Sequence, residues 1–418
     1  MNVVEKIVQL VEQGEVSKAL ALIREAKIKC TDEEKYWLAE HLFSWGMLDK
    51  AQTILEELAS KYPEEGDVRL FLAEIYTEQD EEEKALEILA DINENDPSFA
   101  RACLLQADLY QMQGLDEVSE RKLKKAYEML PHEPIIQFAL AEFYLSRGEY
   151  QKSVEFYKKV MEKEAVIAGT YIPQRLAEAL SLLGEFEEAL PFYEDALKEK
   201  LELHTLFGYG FTAFQAGYYQ TAIEKLLELK ELDPEYVSLY LYLGKAYEHE
   251  GNLQKSYESI KEGLKVDEWN KEFLLYAGKI ALKLGKQDEA EAFLRQAVST
   301  DPGYMEALLT LTKVLLYEER YEEVVEVINE ASKQGEYDPQ FEWDLARALH
   351  ELESYSDALK HYQEAYTFFK NEIDFLEEYG YFLIEEGNRP MAKEMFERIL
   401  EMDPTHEEAA QMVLQLEE

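Results

Sequence analysis

Residues 176–197 read LAEALSLLGEFEEALPFYEDAL. Ala177 precedes Gly184 by seven positions, and Ala189 follows Gly184 by five. Leucine and aromatic residues between these markers recur at helical spacing, which predicts two helices. Glycine permits a positive φ at a tight turn, and the small residues allow the two helices to approach closely. The stretch therefore predicts a helix–turn–helix unit.

The same markers recur along the whole chain with a period close to 34 residues. The turn column holds Gly14, Gly46, Gly114, Gly148, Gly184, Gly217, Gly251, Gly285 and Gly387, with Asp80, Glu319 and Glu353 where glycine is missing. The column seven residues earlier holds Ala39, Ala73, Ala107, Ala141, Ala177, Gly210, Gly244, Gly278, Ala346 and Gly380. The unit around Glu319 departs from the pattern, with Thr312 and Val324 in its small columns. We expect about twelve units and no β-strand.

A repeat of this length, with columns of small residue, glycine, small residue and proline, resembles the tetratricopeptide repeat, or TPR. The resemblance covers essentially the whole chain. It implies an all-α fold, a right-handed superhelical α-solenoid of about twelve helix–turn–helix repeats with a C-terminal capping helix. The chain also resembles the long acidic cytosolic TPR proteins of Bacillus-like bacteria.

One irregular segment predicts a division of the array. Residues 165–170 carry two extra residues and lack the Asp-Pro pair that ends other units, which indicates a bend. We expect an N-terminal sub-array at residues 1–165, a C-terminal sub-array at 166–404 and a capping helix at 405–418. Thr405 and Glu408 fit a capping box for that last helix.

Composition excludes several classes of protein. The 418 residues include 88 acidic and 43 basic side chains, a net charge of −45 that disfavours binding to nucleic acid and to anionic membranes. A hydrophobic content of 47% argues against disorder. Two cysteines exclude a disulfide framework, and no apolar run approaches the roughly 18 residues that span a bilayer. We expect a cytoplasmic protein.

The sequence offers no catalytic motif. The seven histidines show no zinc-binding spacing, from which we predict no metal site. Residues 208–213 match a loose dinucleotide fingerprint, but Gly210 belongs to the small column and no strand precedes it. We therefore expect neither enzymatic activity nor a cofactor.

A charge pattern marks the candidate binding surface. The resemblance implies that first helices line a groove and that the residue after the first small column faces into it. That column runs Glu40, Glu74, Asp108, Glu142, Glu178, Phe211, Lys245, Lys279, Lys313, Arg347 and Tyr381. The charges either pair with neighbouring helices or form a binding surface, and we predict that the basic half binds an acidic segment. His249 and Lys283 extend this basic strip by one helical turn.

Aromatic side chains suggest apolar anchor points in the same groove. Tyr171, Phe207, Phe211 and Phe214 lie between the two charged strips, near His204. Trp343 and His350 occupy equivalent positions further along and predict a second anchor. These residues either pack between helices or contact a partner, because aromatic side chains dominate interface energetics.

Together these features predict a non-enzymatic scaffold that binds a peptide or helix of a partner protein. Two alternatives remain open: an adaptor or sensor whose array changes curvature when a ligand binds, and a head-to-tail assembly of acidic and basic grooves. We expect a monomer or a weak homo-oligomer. The sequence does not identify the partner, because the repeat is a general binding surface.

Overall fold

The helices of this chain follow one another in pairs. The computed structural model describes residues 2–417 and divides into two compact units, Met1–Gly208 and Tyr209–Glu418. Within the described residues, twelve helix pairs joined by tight turns are followed by a single last helix. The predicted all-α repeat fold is thereby confirmed, whereas the predicted division at residue 165 stays a prediction.

The first unit contains α1 (Val3–Glu12), α2 (Val16–Lys29), α3 (Asp32–Ser44), α4 (Leu48–Lys61), α5 (Gly66–Glu78), α6 (Glu82–Ala90), α7 (Phe99–Met112), α8 (Asp116–Met129), α9 (Pro134–Ser146), α10 (Tyr150–Met161), β1 (Val166–Ile167), β2 (Thr170–Tyr171), α11 (Ile172–Leu183) and α12 (Phe186–Glu199). Helix α13 (Leu203–Gln215) includes the unit boundary. The second unit continues with α14 (Tyr219–Leu232), α15 (Ser238–His249), α16 (Leu253–Val266), α17 (Lys271–Lys283), α18 (Gln287–Thr300), α19 (Met305–Tyr317), α20 (Tyr321–Lys333), α21 (Pro339–Glu351), α22 (Tyr355–Phe369), α23 (Ile373–Glu385), α24 (Arg389–Met402) and α25 (Glu407–Glu417).

The turn column has one backbone conformation throughout. Every glycine predicted for it has a positive φ, from 68° at Gly46 to 90° at Gly184. Asp80, Glu319 and Glu353 adopt the same left-handed conformation, with φ between 58° and 59°. Register therefore located the turns even where the residue type did not, and three non-glycine residues are held in a conformation that L-residues disfavour.

Glu319→Gly should stabilise the second unit by about 1 kcal/mol. The left-handed conformation costs an L-residue about 1–2 kcal/mol, and the greater freedom of glycine in the unfolded chain offsets about 0.4–1 kcal/mol of the gain. Urea denaturation measures the change. Glu319→Ala is the control, because it removes the side chain but keeps the strained φ; equal stabilisation by both variants would contradict the backbone explanation.

The small columns are the contact points between paired helices. A Cβ on Gly244 would lie 2.6 Å from Ile260 Cδ1, and one on Gly278 would lie 2.9 Å from Leu294 Cγ. The alanines of the column, such as Ala177 and Ala346, are fully buried. Close packing leaves no room for a larger side chain at these positions. The columns therefore fix the register of each pair.

The expectation that the chain contains no β-strand was wrong between residues 165 and 172. Val166 pairs with Tyr171 and Ile167 with Thr170 in a small antiparallel hairpin. Ala168 and Gly169, which join the strands, have φ values of 48° and 79°. Two successive residues with positive φ suit the right-handed twist of a two-residue hairpin. The repeat with two extra residues thus contains a hairpin, and the bend expected there stays a prediction.

The last described helix, α25, lies where the capping helix was expected and buries Ala409 against the preceding pair. Its predicted capping box was wrong. Thr405 Oγ1 donates a hydrogen bond to Asp403 Oδ1 at 2.6 Å, and the Ala409 amide donates to His406 Nδ1 at 3.3 Å. The helix consequently begins at Glu407, two residues later than expected. Among residues 2–417, no helix is sufficiently long and apolar to cross a membrane.

Candidate partner-binding surface

Successive first helices of the second unit present the basic column. Lys245, Lys279, Lys313 and Arg347 lie on α15, α17, α19 and α21, and Tyr381 follows on α23. Each comes directly after a buried small column residue, Gly244, Gly278, Thr312, Ala346 or Gly380. Successive side chains of a helix point about 100° apart around its axis. Because the small residue faces the second helix of its pair, the next side chain points away from the contact between the two helices.

The first cleft on this surface has a volume of about 370 Å³ and contains two of the predicted lysines. Lys245 Nζ lies over the rings of Tyr242 and Tyr276, 5.5 and 5.9 Å from their centroids. Lys279 forms an ion pair with Glu306. The cleft therefore holds one lysine that rests on aromatic faces and one that is paired. Its lining residues are Leu241, Lys245, Glu272, Leu275, Tyr276, Lys279, Tyr304 and Glu306.

A second cleft, of about 570 Å³, contains Lys313, Arg347 and His350. Lys313 is exposed, and Tyr317 nearby is 80% exposed despite its large ring. Exposed aromatic rings beside a cation are frequent anchors in protein interfaces. The structure thus joins three predicted residues in one concave site. Its lining residues are Lys313, Leu316, Tyr317, Tyr321, Arg347, His350, Glu351, Tyr362, Glu378 and Tyr381.

Glu378 organises one wall of the second cleft. Arg347 Nε donates to Glu378 Oε2 at 2.6 Å, while Tyr362 Oη and Trp343 Nε1 donate to Oε1 at 2.9 and 3.1 Å. The Arg347 guanidinium also lies 4.8 Å from the centroid of the Trp343 ring. Burial and the nearby Glu378 carboxylate raise the pKa of Tyr362 above its ordinary value. Arg347 is therefore largely neutralised from within the chain.

The residues one repeat later supply the partners of two bases of the column. Arg347 pairs with the residue 31 positions later, Glu378, and Lys279 with the residue 27 positions later, Glu306. For Lys245 the position 31 later is Tyr276, which supplies a ring, and the position 27 later is Glu272, which lines the same cleft without forming an ion pair with Lys245. Among the described residues, Lys245 forms no ion pair.

For Lys313 the position 27 later is the neutral Gln340, and the position 31 later is Asp344. The Asp344 carboxylate is 1% exposed and points inward, where it accepts hydrogen bonds from Thr312 Oγ1 at 3.0 Å and Gln340 Nε2 at 2.9 Å. Burial raises the pKa of Asp344. Lys313 accordingly makes no ion pair with any residue between 2 and 417.

The outlying members of the strip have partners of their own. Lys283 forms an ion pair with Glu248, which also accepts a hydrogen bond from Tyr276. His249 stacks on Tyr219 with 4.4 Å between ring centroids. His350 Nε2 lies 2.8 Å from Glu385 Oε2. These contacts position the three side chains, and the Glu248 carboxylate partly neutralises Lys283.

The predicted aromatic anchors are partly occupied by internal packing. Phe211 and Phe214 contact the Tyr242 ring, with centroids 4.9 and 5.8 Å apart. Trp343 packs against Phe369 and Phe375, both at 5.2 Å. In the first unit, Tyr171 Oη donates to Asp195 at 3.4 Å, and Phe207 is half-buried. The column pattern did not indicate Tyr317 and Tyr321, because they lie at the end of α19 and the start of α20, on either side of the turn of their repeat.

The acidic column of the first unit is also partly compensated. Arg175 donates to both oxygens of Glu142, at 2.8 and 2.5 Å, and to Glu178 at 2.5 Å. Arg101 lies 3.6 Å from Glu74. Desolvation raises the pKa of Glu74 and of Asp108, although the Asp108 side chain reaches solvent. Glu40 and Asp108 form no ion pair among the described residues, and Glu40 lines a cleft of about 250 Å³ together with Asp67, Glu74 and Arg101.

Solved structures and family models provide the comparisons. The C-terminal part of a TPR repeat-containing protein from Cytophaga hutchinsonii is 16% identical with a TM-score of 0.46, over 66% of this chain and 99% of that one. YrrB, a TPR protein described as having an unusual peptide-binding site, is 20% identical with a TM-score of 0.38, over 45% of this chain and 96% of its own. Models of YpiA-like tetratricopeptide repeats match residues 111–165 and, for the C-terminal repeats, 339–406.

General tetratricopeptide-repeat models match residues 42–109, 174–204 and 273–304. The TPR repeat-containing protein YpiA of Bacillus subtilis (strain 168) is 45% identical over 417 residues. This alignment covers 100% of the present chain and 99% of that protein.

Proposed function

The chain belongs to the tetratricopeptide-repeat family, in the group of YpiA-like proteins, and from this premise we propose that it is a non-enzymatic scaffold that binds an acidic segment of a partner protein. The segment contacts the basic column of the second unit, Lys245, Lys279, Lys313 and Arg347. The cytoplasmic location expected from the sequence is part of this proposal.

One observation supports the proposal most strongly. The chain has 88 acidic side chains for 43 basic ones, so a lysine has many chances to find a carboxylate. Lys245 and Lys313 nevertheless form no ion pair among the described residues, and each lies in a cleft. A cation that stays unpaired in so acidic a chain is available to a negatively charged ligand.

The clefts also indicate what else the segment contains. Lys279 lies in the column between Lys245 and Lys313 and is already paired with Glu306. A negatively charged ligand therefore gains less binding energy at Lys279 than at the two lysines without an ion pair. The second cleft presents Tyr317, Tyr321 and Tyr381 around the exposed Lys313. An aromatic or long aliphatic residue next to an acidic one would use both features, because apolar burial supplies affinity and charge supplies orientation.

A peptide titration tests the proposal. Labelled peptides with two acidic clusters that flank one phenylalanine are titrated against the full chain by fluorescence anisotropy, together with copies in which every Glu is Gln. We expect saturable binding of the acidic peptides alone, weakening as salt rises, because exposed charges are screened over about 8 Å at physiological ionic strength. Equal affinity of the neutral copies would contradict an acidic ligand.

The two alternatives raised by the sequence remain predictions. A change of curvature near the 166–171 hairpin would alter the scattering radius when ligand is added. Head-to-tail assembly would produce oligomers that dissociate as salt rises, because it depends on opposite charges. Neither is needed for binding at the two clefts.

A further inference from the structure

A cluster of three metal-ligating side chains joins helices α21 and α22. Glu342 lies in the first turn of α21, and His361 and Glu364 lie three residues apart on α22. Each offers one ligand atom, and the three atoms lie within 4.8 Å of one another. Among residues 2–417 no other group of three His, Cys, Asp or Glu side chains converges in this way. The ligands come from two helices, which explains why spacing along the sequence did not indicate them.

The cluster contains a buried carboxylate without a cationic partner from Lys or Arg. Glu342 is 8% exposed, and its Oε2 lies 2.6 Å from His361 Nδ1. The Glu342 side chain is 11% exposed, and its other oxygen, Oε1, makes no hydrogen bond among the described residues but keeps some contact with solvent. Asp344, the other buried acid described, has both oxygens satisfied by Thr312 and Gln340. Because the Glu342 Oε1 atom is largely withdrawn from water but still accessible, a cation can reach it and would compensate the charge of the carboxylate.

The surroundings of the cluster add negative charge. Glu364 is exposed and forms no ion pair among the described residues. Burial, and then the charges of Glu342, Glu364 and Asp338, raise the pKa of Tyr337. The negative charges of Glu342 and Glu364 thus both reach the space beside Tyr337, in a chain whose net charge is −45.

We propose that Glu342, His361 and Glu364 bind one divalent transition-metal ion of the zinc type, which links α21 to α22. One imidazole and two carboxylates suit Zn²⁺ or a similar first-row ion better than Mg²⁺ or Ca²⁺, which prefer oxygen ligands alone. Ligand atoms about 2.1 Å from a tetrahedral ion lie about 3.4 Å apart. Metal binding requires His361 Nδ1 to be unprotonated and the three ligand atoms, which lie within 4.8 Å of one another, to move to that spacing, with solvent as the fourth ligand.

Calorimetric titration with ZnCl₂ tests the site in the full chain. The protein is first treated with a chelator, and a large excess of Mg²⁺ is kept present to occupy weak acidic sites. We expect one saturable zinc equivalent. Co²⁺ as a second probe should produce visible d–d absorption bands, which report inner-sphere ligands instead of diffuse attraction to an acidic surface.

Three variants and one control separate the site from adventitious binding. His361→Gln, Glu342→Gln and Glu364→Gln should each weaken zinc binding by at least about tenfold, since loss of even an outer-shell partner costs about 10–100-fold. His350→Gln is the control, because His350 forms a similar pair with Glu385 at 2.8 Å but has no third ligand.

Glu364 is exposed, so Glu364→Gln is expected to fold normally even if replacing the buried Glu342 is disruptive; circular dichroism checks both. The proposal is overturned if the parent chain shows no saturable zinc site. It is equally overturned if Glu364→Gln and His361→Gln bind zinc as tightly as the His350→Gln control.

Discussion

Tyr362→Ala should lower the free energy of unfolding of the second unit by about 3–5 kcal/mol, the usual cost of deleting a buried aromatic ring. Tyr362 is fully buried, and its ring stacks on Tyr379 at 5.1 Å and contacts Phe382 at 4.8 Å. The substitution leaves a cavity between α22 and α23. It also removes one of three hydrogen-bond donors to Glu378 in the wall of the second cleft.

Tyr362→Phe is the matched variant, because it keeps the ring and removes only the hydroxyl. We expect a loss of about 1 kcal/mol, the net value of a typical hydrogen bond. Urea denaturation measures both variants. Hydrogen exchange across residues 355–402 accompanies it, because repeat arrays can lose terminal units separately and a single global value then misleads. Equal losses in the two variants would show that packing is not the dominant contribution of Tyr362.

The turns were predictable from sequence because their cause is local. Each first helix ends at a residue with the left-handed backbone conformation. Because the repeat has a fixed length, that residue falls at the same position of every unit. Glu319 and Glu353 are poor residues for this conformation and Asp80 tolerates it better, yet register alone located all three, and each has the positive φ of the glycine turns. The same holds for the small columns, where the facing side chains Ile260 and Leu294 exclude anything larger.

The 166–171 hairpin was not predictable by the same reasoning. Its strands have two residues each, too short for an alternating pattern, and its turn requires a positive φ at Ala168, which is not a typical turn residue. The pairing of the groove charges was also beyond the column pattern. It depends on side chains one repeat later: Glu378 reaches Arg347, whereas Asp344 turns inward to Thr312 and leaves Lys313 free.

The double variant Lys245→Glu/Lys313→Glu should weaken binding of the acidic peptides by about a hundredfold. Each substitution removes an attraction of about 0.7 kcal/mol and adds a repulsion of similar size, within the range for exposed ion pairs. The four contributions amount to about 2.8 kcal/mol, which corresponds to a factor of about 100 in Kd. Stability should change little, since neither lysine forms an ion pair among the described residues.

The control is Lys265→Glu/Lys360→Glu, which changes the net charge by the same four units. Lys265 and Lys360 are exposed on the second helices α16 and α22, and neither belongs to the clefts at the basic column. Fluorescence anisotropy should show a small loss for this control, because general repulsion is screened by salt. Equal losses in the two double variants would mean that only net charge repels the peptide. A difference of about tenfold or more, maintained as salt rises, would place the ligand at Lys245 and Lys313, because close charge pairs in clefts are screened less than distant surface charges.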